Sequence, residues 1–195
     1  LLRIATALAA IAALHLPAAA QAMTRYVRFA VAGDTSYGIL DAGTVRELRG
    51  DLFGAREPTG RTFRLDAVRL LAPIVPGKVI AVGLNFRSHL GTRPVAAEPG
   101  LFAKYPSSIV GPEAAIVQPR GSKNLHYEGE MVLVIGKRAS HVRPEDALSH
   151  VFGVTAGNDV SERDWQASDL QWFRAKASDT FGPLGPMIVT GLNPD

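Results

Sequence analysis

The chain has 195 residues and a formal net charge of +3, with 47% hydrophobic and 20% charged residues. This composition is that of an ordinary globular protein, and it excludes a disordered chain and a polytopic membrane protein. The absence of cysteine excludes disulfides, thiolate metal sites and cysteine nucleophiles. Because the basic residues are scattered and no aromatic residues are interleaved with them, we expect no nucleic-acid partner.

The first 22 residues predict a secretory leader. Arg3 is followed by an apolar stretch too short to span a bilayer, then by Pro17 and an Ala-x-Ala sequence at residues 20–22. This order is typical of a signal peptide, which would make the mature protein periplasmic or exported, with no membrane attachment once the leader is removed. The alternative is an alanine-rich extension in front of a true start at Met23, which would leave the protein in the cytoplasm.

Residues 23–72 predict a small N-terminal β-rich unit. Strands are indicated in the segments YVRFAVA, GDTSYGIL and TVRELRG, which are separated by short polar turns. Residues 51–63, with the sequence DLFGAREPTGRTF, are rich in glycine, proline and charge and therefore predict a loop.

Residues 78–195 predict a second unit. It opens with an apolar run at Val79–Val82, typical of a strand covered on both faces, and continues into a long polar loop. Further strands are predicted in LFAKYPSSIVGP, VFGVTAGNDV and PMIVTGLNPD, and a short helix in PEDALSH. The segment SERDWQASDLQWFRAK predicts a broken helix, with Ser161 and Asp164 as candidate capping residues.

An acidic pattern opens the segment HYEGEMVLVIGK. His126, Glu128 and Glu130 alternate in front of a β-branched apolar run, so their side chains are expected to share one face of a strand. Neighbouring carboxylates repel each other unless a cation binds between them, and oxygen ligands suit Mg²⁺, Mn²⁺ or Ca²⁺. Asp159 follows another predicted strand and could complete such a site. The alternative is that both glutamates face water on an edge strand, and His126 is interpreted as a structural residue or a neighbour of the ligands.

Two further residues are candidates for catalysis. His89 lies in the loop after the first strand of the second unit, where a general base could act, and an inert loop histidine is the alternative. Lys176 lies between an aromatic stretch and a Gly/Pro-rich stretch. Its ammonium group could hold a substrate carboxylate or an enolate, and a solvated surface lysine is the alternative.

Five motifs, in the order of the family, resemble the fumarylacetoacetate hydrolase family: VGLNFRSH, LFAK, HYEGEMVLVIGK, GNDVSERDWQ and KASDTFGPLGP. The resemblance implies an α+β fold, mainly β, with a mixed β-roll around the active site, a small N-terminal β-rich domain and a homodimer. Family members continue with more strands and a Gly/Thr-rich loop. We therefore expect a leader at 1–22, an N-terminal domain at 23–72 and an incomplete catalytic domain at 78–195.

The resemblance also implies roles for individual residues. Three would bind Mg²⁺ or Mn²⁺: Glu128, Glu130 and Asp159. Three would line the substrate pocket: Lys104, Arg163 and Gln166. Lys176 would contact the developing enolate or carboxylate of the substrate. His89 would lie on the mobile loop that closes over the substrate and would activate water in a hydrolytic member.

The implied reaction cleaves or isomerises a carboxylated β-dicarbonyl compound or 2-oxo acid through an enolate, and it leaves open a C–C hydrolase, a decarboxylase and an isomerase. Members with a His–Glu pair place the glutamate three residues after the histidine, where this chain has Thr92. His89 therefore lacks that orienting carboxylate, which argues against hydrolysis. A second hypothesis is a non-catalytic exported protein of the same fold that binds a metal or ligand. A third treats the carboxylates as a glycosidase pair acting on sugars.

Overall fold

The computed structural model describes residues 22–192, and strands dominate this part of the chain. The predicted fold class, α+β and mainly β, is therefore confirmed. Residues 1–21, which carry nearly all of the predicted leader, and residues 193–195 lie outside the described range. Between residues 22 and 192 no helix has both the length and the apolar character needed to cross a bilayer.

Short elements follow each other along the chain. The strands are β1 (Thr24–Val31), β2 (Asp34–Asp41), β3 (Thr44–Gly50), β4 (Arg56–Arg64), β5 (Arg69–Leu70), β6 (Val79–Gly83), β7 (Gly100–Lys104), β8 (Ile109–Val110), β9 (Leu125–His126), β10 (Gly129–Ile135), β11 (Val151–Asn158), β12 (Ser161–Glu162), β13 (Gly182–Pro183) and β14 (Ile188–Thr190). The helices are α1 (Arg87–Leu90), α2 (Arg163–Ser168) and α3 (Phe173–Ala177). Short 3₁₀ helices lie at Leu65–Ala67, Pro106–Ser108 and Pro144–His150.

One large sheet joins the two ends of the described chain. Its strands follow the order β10, β11, β14, β1, β2, β3 and β4, and β5 also pairs with β1. Strand β14 lies antiparallel to β1, with Tyr26 opposite Ile188, and on its other side it pairs with β11. The predicted N-terminal unit and the predicted second unit therefore share a single sheet.

The core lies on both faces of β1, because successive side chains of a strand point in opposite directions. Val27 and Phe29 are fully buried on one face and pack with side chains of β2 and β3. Tyr26 lies on the other face in a cluster that includes Ile188 and Val134. Burial on both faces makes β1 the central strand of the fold.

The segment at residues 51–63, predicted to be a loop, forms most of β4 instead. β4 pairs antiparallel with β3, with a shift in register between Arg46 and Leu48, and Gly60 adopts a positive φ of 86°. The loop prediction was wrong because β3 offers an edge of free backbone groups. Pairing with that edge outweighs the weak strand propensity of a sequence with glycine and proline.

Two other local predictions were also wrong. Val79–Val82 is a strand, but among the described residues it pairs with β7 alone, in a two-stranded ribbon, and Ile80 is 60% exposed. The residue that caps α2 is Glu162, not Ser161 or Asp164, because its carboxylate accepts the backbone N–H of Trp165. The first error concerns tertiary neighbours, which the local pattern does not contain, and the second arises because glutamate is not among the residues usually preferred at this capping position.

The close approach of β11 and β14 gives the first prediction. A Cβ atom added to Gly153 would lie 2.5 Å from the carbonyl oxygen of Val189, so we expect Gly153→Ala to push these strands apart and lower the free energy of unfolding by about 1–3 kcal/mol. Gly77→Ala is the control, because no atom lies within 4 Å of its added Cβ, and we expect a change within about 0.5 kcal/mol. Urea unfolding measures both, and equal effects would contradict the sheet described above.

Candidate functional site

The pairing of β10 with β11 brings two acidic residues to the same end of the sheet. The register places Gly129 opposite Asn158. Just beyond this pair, the backbone N–H of Glu128 donates to the side-chain oxygen of Asn158 at 2.9 Å. The backbone N–H of Asp159 donates in turn to the carbonyl oxygen of Glu128 at 2.8 Å. Asp159 is thus fixed beside Glu128 by main-chain geometry, although the two lie far apart in sequence.

Three carboxylates meet at this point. One oxygen from each of Glu128, Glu130 and Asp159 lies within 4.8 Å of the others, and Asp159 is only 4% exposed. His126 is not part of this group, since its ring is hydrogen-bonded to the side-chain oxygen of Asn124 at 2.9 Å. The strand pairing is interrupted between β9 and β10, so the alternation that relates the two glutamates does not extend to the histidine.

Lys176 lies between two of these carboxylates. Its Nζ atom is 2.8 Å from Oε2 of Glu128 and 2.6 Å from Oδ2 of Asp159, and the residue is 2% exposed. The ring of Phe102 lies 5.1 Å from the same nitrogen, which provides a further cation–π contact. The alternative interpretation of Lys176 as a solvated surface residue is therefore excluded. Helix α3 places its ammonium group in the acidic cluster.

Two predicted pocket residues are on α2. The guanidinium of Arg163 forms an ion pair with Oε1 of Glu128, and it donates to the side-chain oxygen of Gln166 at 2.8 Å. Helix α2 begins directly after β12, so the pairing of β12 with β9 fixes the backbone positions from which the Arg163 and Gln166 side chains extend. Arg163 and Gln166 are thus next to the carboxylates, and both line the cavity described below.

Lys104 lies behind the carboxylates. It is 5% exposed, its Nζ atom is 2.6 Å from Oδ1 of Asp159, and it also donates to the carbonyl oxygen of Lys176. Burial lowers the pKa of Lys104, and the charge of Asp159 opposes that shift. Lys104 is not among the residues that line the cavity, and its predicted role in substrate binding stays a prediction.

The two glutamates have different electrostatic environments. Burial raises the pKa of Glu130, and the charges of Asp159 and Glu128 raise it further. Burial also acts to raise the pKa of Glu128, but the bonds from Lys176 and Arg163 outweigh it, and the net direction is down. Within residues 22–192 the side chain of Glu130 makes no hydrogen bond or ion pair, so it is the carboxylate that most needs a cation.

The donor set fits a hard divalent ion. Each oxygen of Glu128 and of Asp159 accepts one N–H donor. Since a carboxylate oxygen has two lone pairs, each of these oxygens can accept one more partner. Both oxygens of Glu130 are available as well. The cluster can therefore bind a cation while the lysine and arginine contacts persist, and metal binding stays a prediction.

These groups face a cavity of about 450 Å³. His89, on α1, lies in its wall, as do Arg93, Phe102 and Trp172. The His89 ring is exposed, lies 5.7 Å from that of Phe86, and makes no hydrogen bond to any described residue. The aromatic side chains supply apolar surface beside a strongly charged group, as binding sites for small molecules commonly do.

Sequence reasoning missed some of the residues that build this site. Phe102 was not considered, although it is two residues before Lys104 on β7 and strand alternation predicts a shared face. Arg93 was also missed, and its side chain donates to the backbone carbonyls of His89 and Leu90. Glu162 carried no signal, because its partners are backbone amides that the sequence does not reveal.

The fold is mainly β, and it brings three carboxylates and a buried lysine to one cavity. The family model described as "Fumarylacetoacetate (FAA) hydrolase C-terminal" matches residues 78–194. A second family model, "Rv2993c-like, N-terminal", matches residues 24–73. The chain belongs to the fumarylacetoacetate hydrolase family, and the predicted resemblance is confirmed.

Curated relatives include "Protein Rv2993c" from Mycobacterium tuberculosis, which is 46% identical over 154 residues, covering 77% of this chain and 58% of the relative. "Oxaloacetate tautomerase FAHD2A, mitochondrial" from Homo sapiens is 45% identical over 128 residues, covering 63% of this chain and 41% of that protein. The chain thus spans little more than half the length of the first relative and less than half of the second.

Solved structures with the same fold include 2-hydroxyhepta-2,4-diene-1,7-dioate isomerase from Mycobacterium marinum. It has a TM-score of 0.80 at 40% identity and is matched over 88% of this chain and 68% of that one. Maleylpyruvate hydrolase from Sphingobium sp. SYK-6, in complex with manganese(II) and pyruvate, has a TM-score of 0.67 at 26% identity, over 88% and 69% of the two chains. By their names, relatives of this chain are enzymes of more than one reaction type.

The buried ion pair of Lys104 and Asp159 gives the second prediction. Lys104→Met removes a cation from a buried carboxylate and leaves the Lys176 carbonyl without its donor, so we expect a loss of about 3–5 kcal/mol in the free energy of unfolding. Arg49→Met, which breaks the exposed pair with Glu57, is the matched control and should cost at most about 1 kcal/mol. Chemical denaturation measures both, and a small effect for Lys104→Met would rule out the buried network.

Proposed function

We propose that the protein is a divalent-metal-dependent enzyme that acts next to the carbonyl of a carboxylated 2-oxo acid or β-dicarbonyl compound, through an enolate. The observation that carries this proposal is the placement of Lys176 between Glu128 and Asp159 on one cavity, next to Glu130, whose carboxylate has no partner among residues 22–192. An ammonium group and a cation site together on one cavity can stabilise a negative charge that develops on an oxygen atom between them.

Glu128, Glu130 and Asp159 would hold the ion. We propose Mg²⁺ or Mn²⁺, because the ligands are all oxygen atoms, and Ca²⁺ also accepts such ligands. When bound, the ion supplies Lewis acidity that polarises a carbonyl oxygen. The Sphingobium maleylpyruvate hydrolase structure, which contains manganese(II) and pyruvate, supports Mn²⁺ as the metal and a 2-oxo acid as the substrate class.

The charges at the site favour a dianionic substrate. Three carboxylates are matched by three cationic side chains: Lys104, Arg163 and Lys176. These groups balance each other, so a divalent ion together with Arg93 in the cavity wall would give the site an excess of positive charge, which a dianion offsets. Oxaloacetate and a 1,7-dioate, the compounds named for two relatives, are dianions of this kind.

The side chains of this chain suggest how the reaction proceeds. Arg163 and Arg93, which both line the cavity, would bind substrate carboxylates through guanidinium N–H groups, since hydrogen bonds between two charged groups are the strong ones. Lys176 would stabilise charge on the developing enolate oxygen and exchange a proton with it. Phe102 and Trp172 would exclude water, which strengthens these electrostatic interactions.

Isomerisation or decarboxylation suits the site better than hydrolysis. Hydrolysis requires an activated water, and the His89 ring has no hydrogen-bonded carboxylate among the described residues to orient it. Keto–enol isomerisation and decarboxylation both proceed through an enolate and need no such water. Hydrolysis of a C–C bond remains the second candidate, because His89 lines the cavity where an attacking water would have to lie.

The third prediction concerns the metal. We expect Mn²⁺ or Mg²⁺ to bind the wild-type protein, and Glu130→Gln to weaken binding by about tenfold or more, because the amide keeps the shape of the side chain but removes an anionic ligand. Glu145→Gln changes an exposed glutamate away from the cluster and is the control, with unchanged affinity. Isothermal titration calorimetry measures both, and unchanged affinity in Glu130→Gln would show that the ligands are elsewhere.

The fourth prediction concerns the reaction. With Mn²⁺ or Mg²⁺ present, the full-length protein should accelerate the keto–enol interconversion or the decarboxylation of oxaloacetate, followed by ultraviolet absorbance. Lys176→Met should lower kcat by about 10²–10³, the usual cost of losing one donor to a developing oxyanion. Hydrolysis of acylpyruvates, measured in parallel, separates the second candidate from the first. Binding of Mn²⁺ without turnover of any of these compounds would favour the non-catalytic binding protein instead.

A further inference from the structure

Glu162 is a buried carboxylate with no cationic partner. It is fully buried, and within the described residues it takes part in no ion pair. Its Oε1 atom accepts the backbone N–H groups of Lys123 at 3.1 Å and Asn124 at 2.8 Å. Its Oε2 atom accepts the backbone N–H of Trp165 at 2.7 Å. Burying a charge costs free energy unless hydrogen bonds compensate for the lost hydration. The three amide donors provide this compensation for the Glu162 carboxylate.

These bonds connect two segments that carry different parts of the site. Lys123 and Asn124 lead through β9 into Glu128, whereas Trp165 belongs to α2, which carries Arg163 and Gln166. The same two segments are also joined by the pairing of Glu162 with Leu125 and by the bond from the Arg163 N–H to the Asn124 carbonyl at 2.9 Å. The buried side chain of Glu162 contacts both segments, and at the surface the side chain of Asn124 also donates to Oδ1 of Asp164 on α2 at 2.9 Å.

We propose that Glu162 is a positioning residue that holds the Arg163 guanidinium against Glu128 and the substrate pocket. This role rests on the proposed function, because Arg163 is taken to bind a substrate carboxylate. Glu162 touches neither the cavity nor the three-carboxylate cluster, so it acts only through the backbone of α2 and of the segment before β9. Its replacement should therefore disturb anion binding more than it disturbs the cation ligands.

Glu162→Gln tests the geometry without any metal or ligand. The amide group keeps the size of the side chain, but its NH₂ must face at least one backbone N–H, which loses its acceptor. We expect the amides of Lys123, Asn124 and Trp165 to exchange hydrogen about tenfold faster or more in this variant. The control is Glu145→Gln, which makes the same exchange of carboxylate for amide at an exposed residue paired with Arg143 and should leave these three amides unchanged. Equal exchange in both variants would overturn the proposal.

A double-mutant cycle with Arg163→Met tests whether Glu162 acts through the arginine. The measured quantity is the affinity of oxalate, a small dianion, for the Mn²⁺-loaded full-length protein. We expect each single variant to bind oxalate about tenfold more weakly, and the double variant to bind it no more weakly than Arg163→Met alone. Additive losses would show that Glu162 supports the fold in general and would overturn the positioning role.

The proposed enzymatic reaction and the proposed positioning role of Glu162 would fail in different ways. If the wild-type protein binds Mn²⁺ and oxalate but turns over no substrate, the proposed reaction is wrong, and the cycle still reports on Glu162. If the wild-type protein binds no oxalate, the exchange rate of the Arg163 amide decides, since Glu162→Gln should raise it by about tenfold and Glu145→Gln should not. An unchanged Arg163 amide in Glu162→Gln would overturn the proposal in that case.

Discussion

The ammonium group of Lys176, held between the carboxylates of Glu128 and Asp159, is the interaction on which the site depends. Carboxylates forced together in a partly buried place repel each other, and this repulsion is tolerated only when cations are bound between or beside them. Lys104 extends the same network, since it contacts Asp159 and also the backbone of Lys176. Strand β7, helix α3 and the end of the β10–β11 pair are thereby tied to one cluster of charge, with Glu130 left for a further cation.

The large sheet fixes the positions of these charged side chains relative to each other. Because β14 pairs with β1 and with β11, the strand that precedes Asp159 is attached to the central strand of the core. The Asp159 N–H then fixes the Glu128 backbone, and the antiparallel register directs Glu130 toward the same point. A shift of one residue in the β10–β11 register would turn Glu130 to the opposite face and remove it from the cluster. The chemistry of the site therefore depends on the strand pairing.

Local patterns in the sequence predicted the acidic cluster but not everything around it. Alternation related Glu128 to Glu130, and a polar residue after a strand indicated Asp159, because both features are local. The strand β4 and the exposed face of β6 were predicted wrongly, since each depends on the strand that lies beside it. The sequence also could not reveal that Lys104 lies behind Asp159, nor that Glu162 binds backbone amides, because burial and main-chain partners arise only when distant segments pack.

The most direct test of the central claim is the position of a bound metal. Crystals of the full-length protein grown with Mn²⁺ should show an anomalous scattering peak within about 2.0–2.6 Å of oxygen atoms from Glu128, Glu130 and Asp159. The contacts of Lys176 with two of these carboxylates should persist when the ion is bound. A peak at other residues, or its absence at millimolar Mn²⁺ with the three carboxylates ordered, would contradict the account.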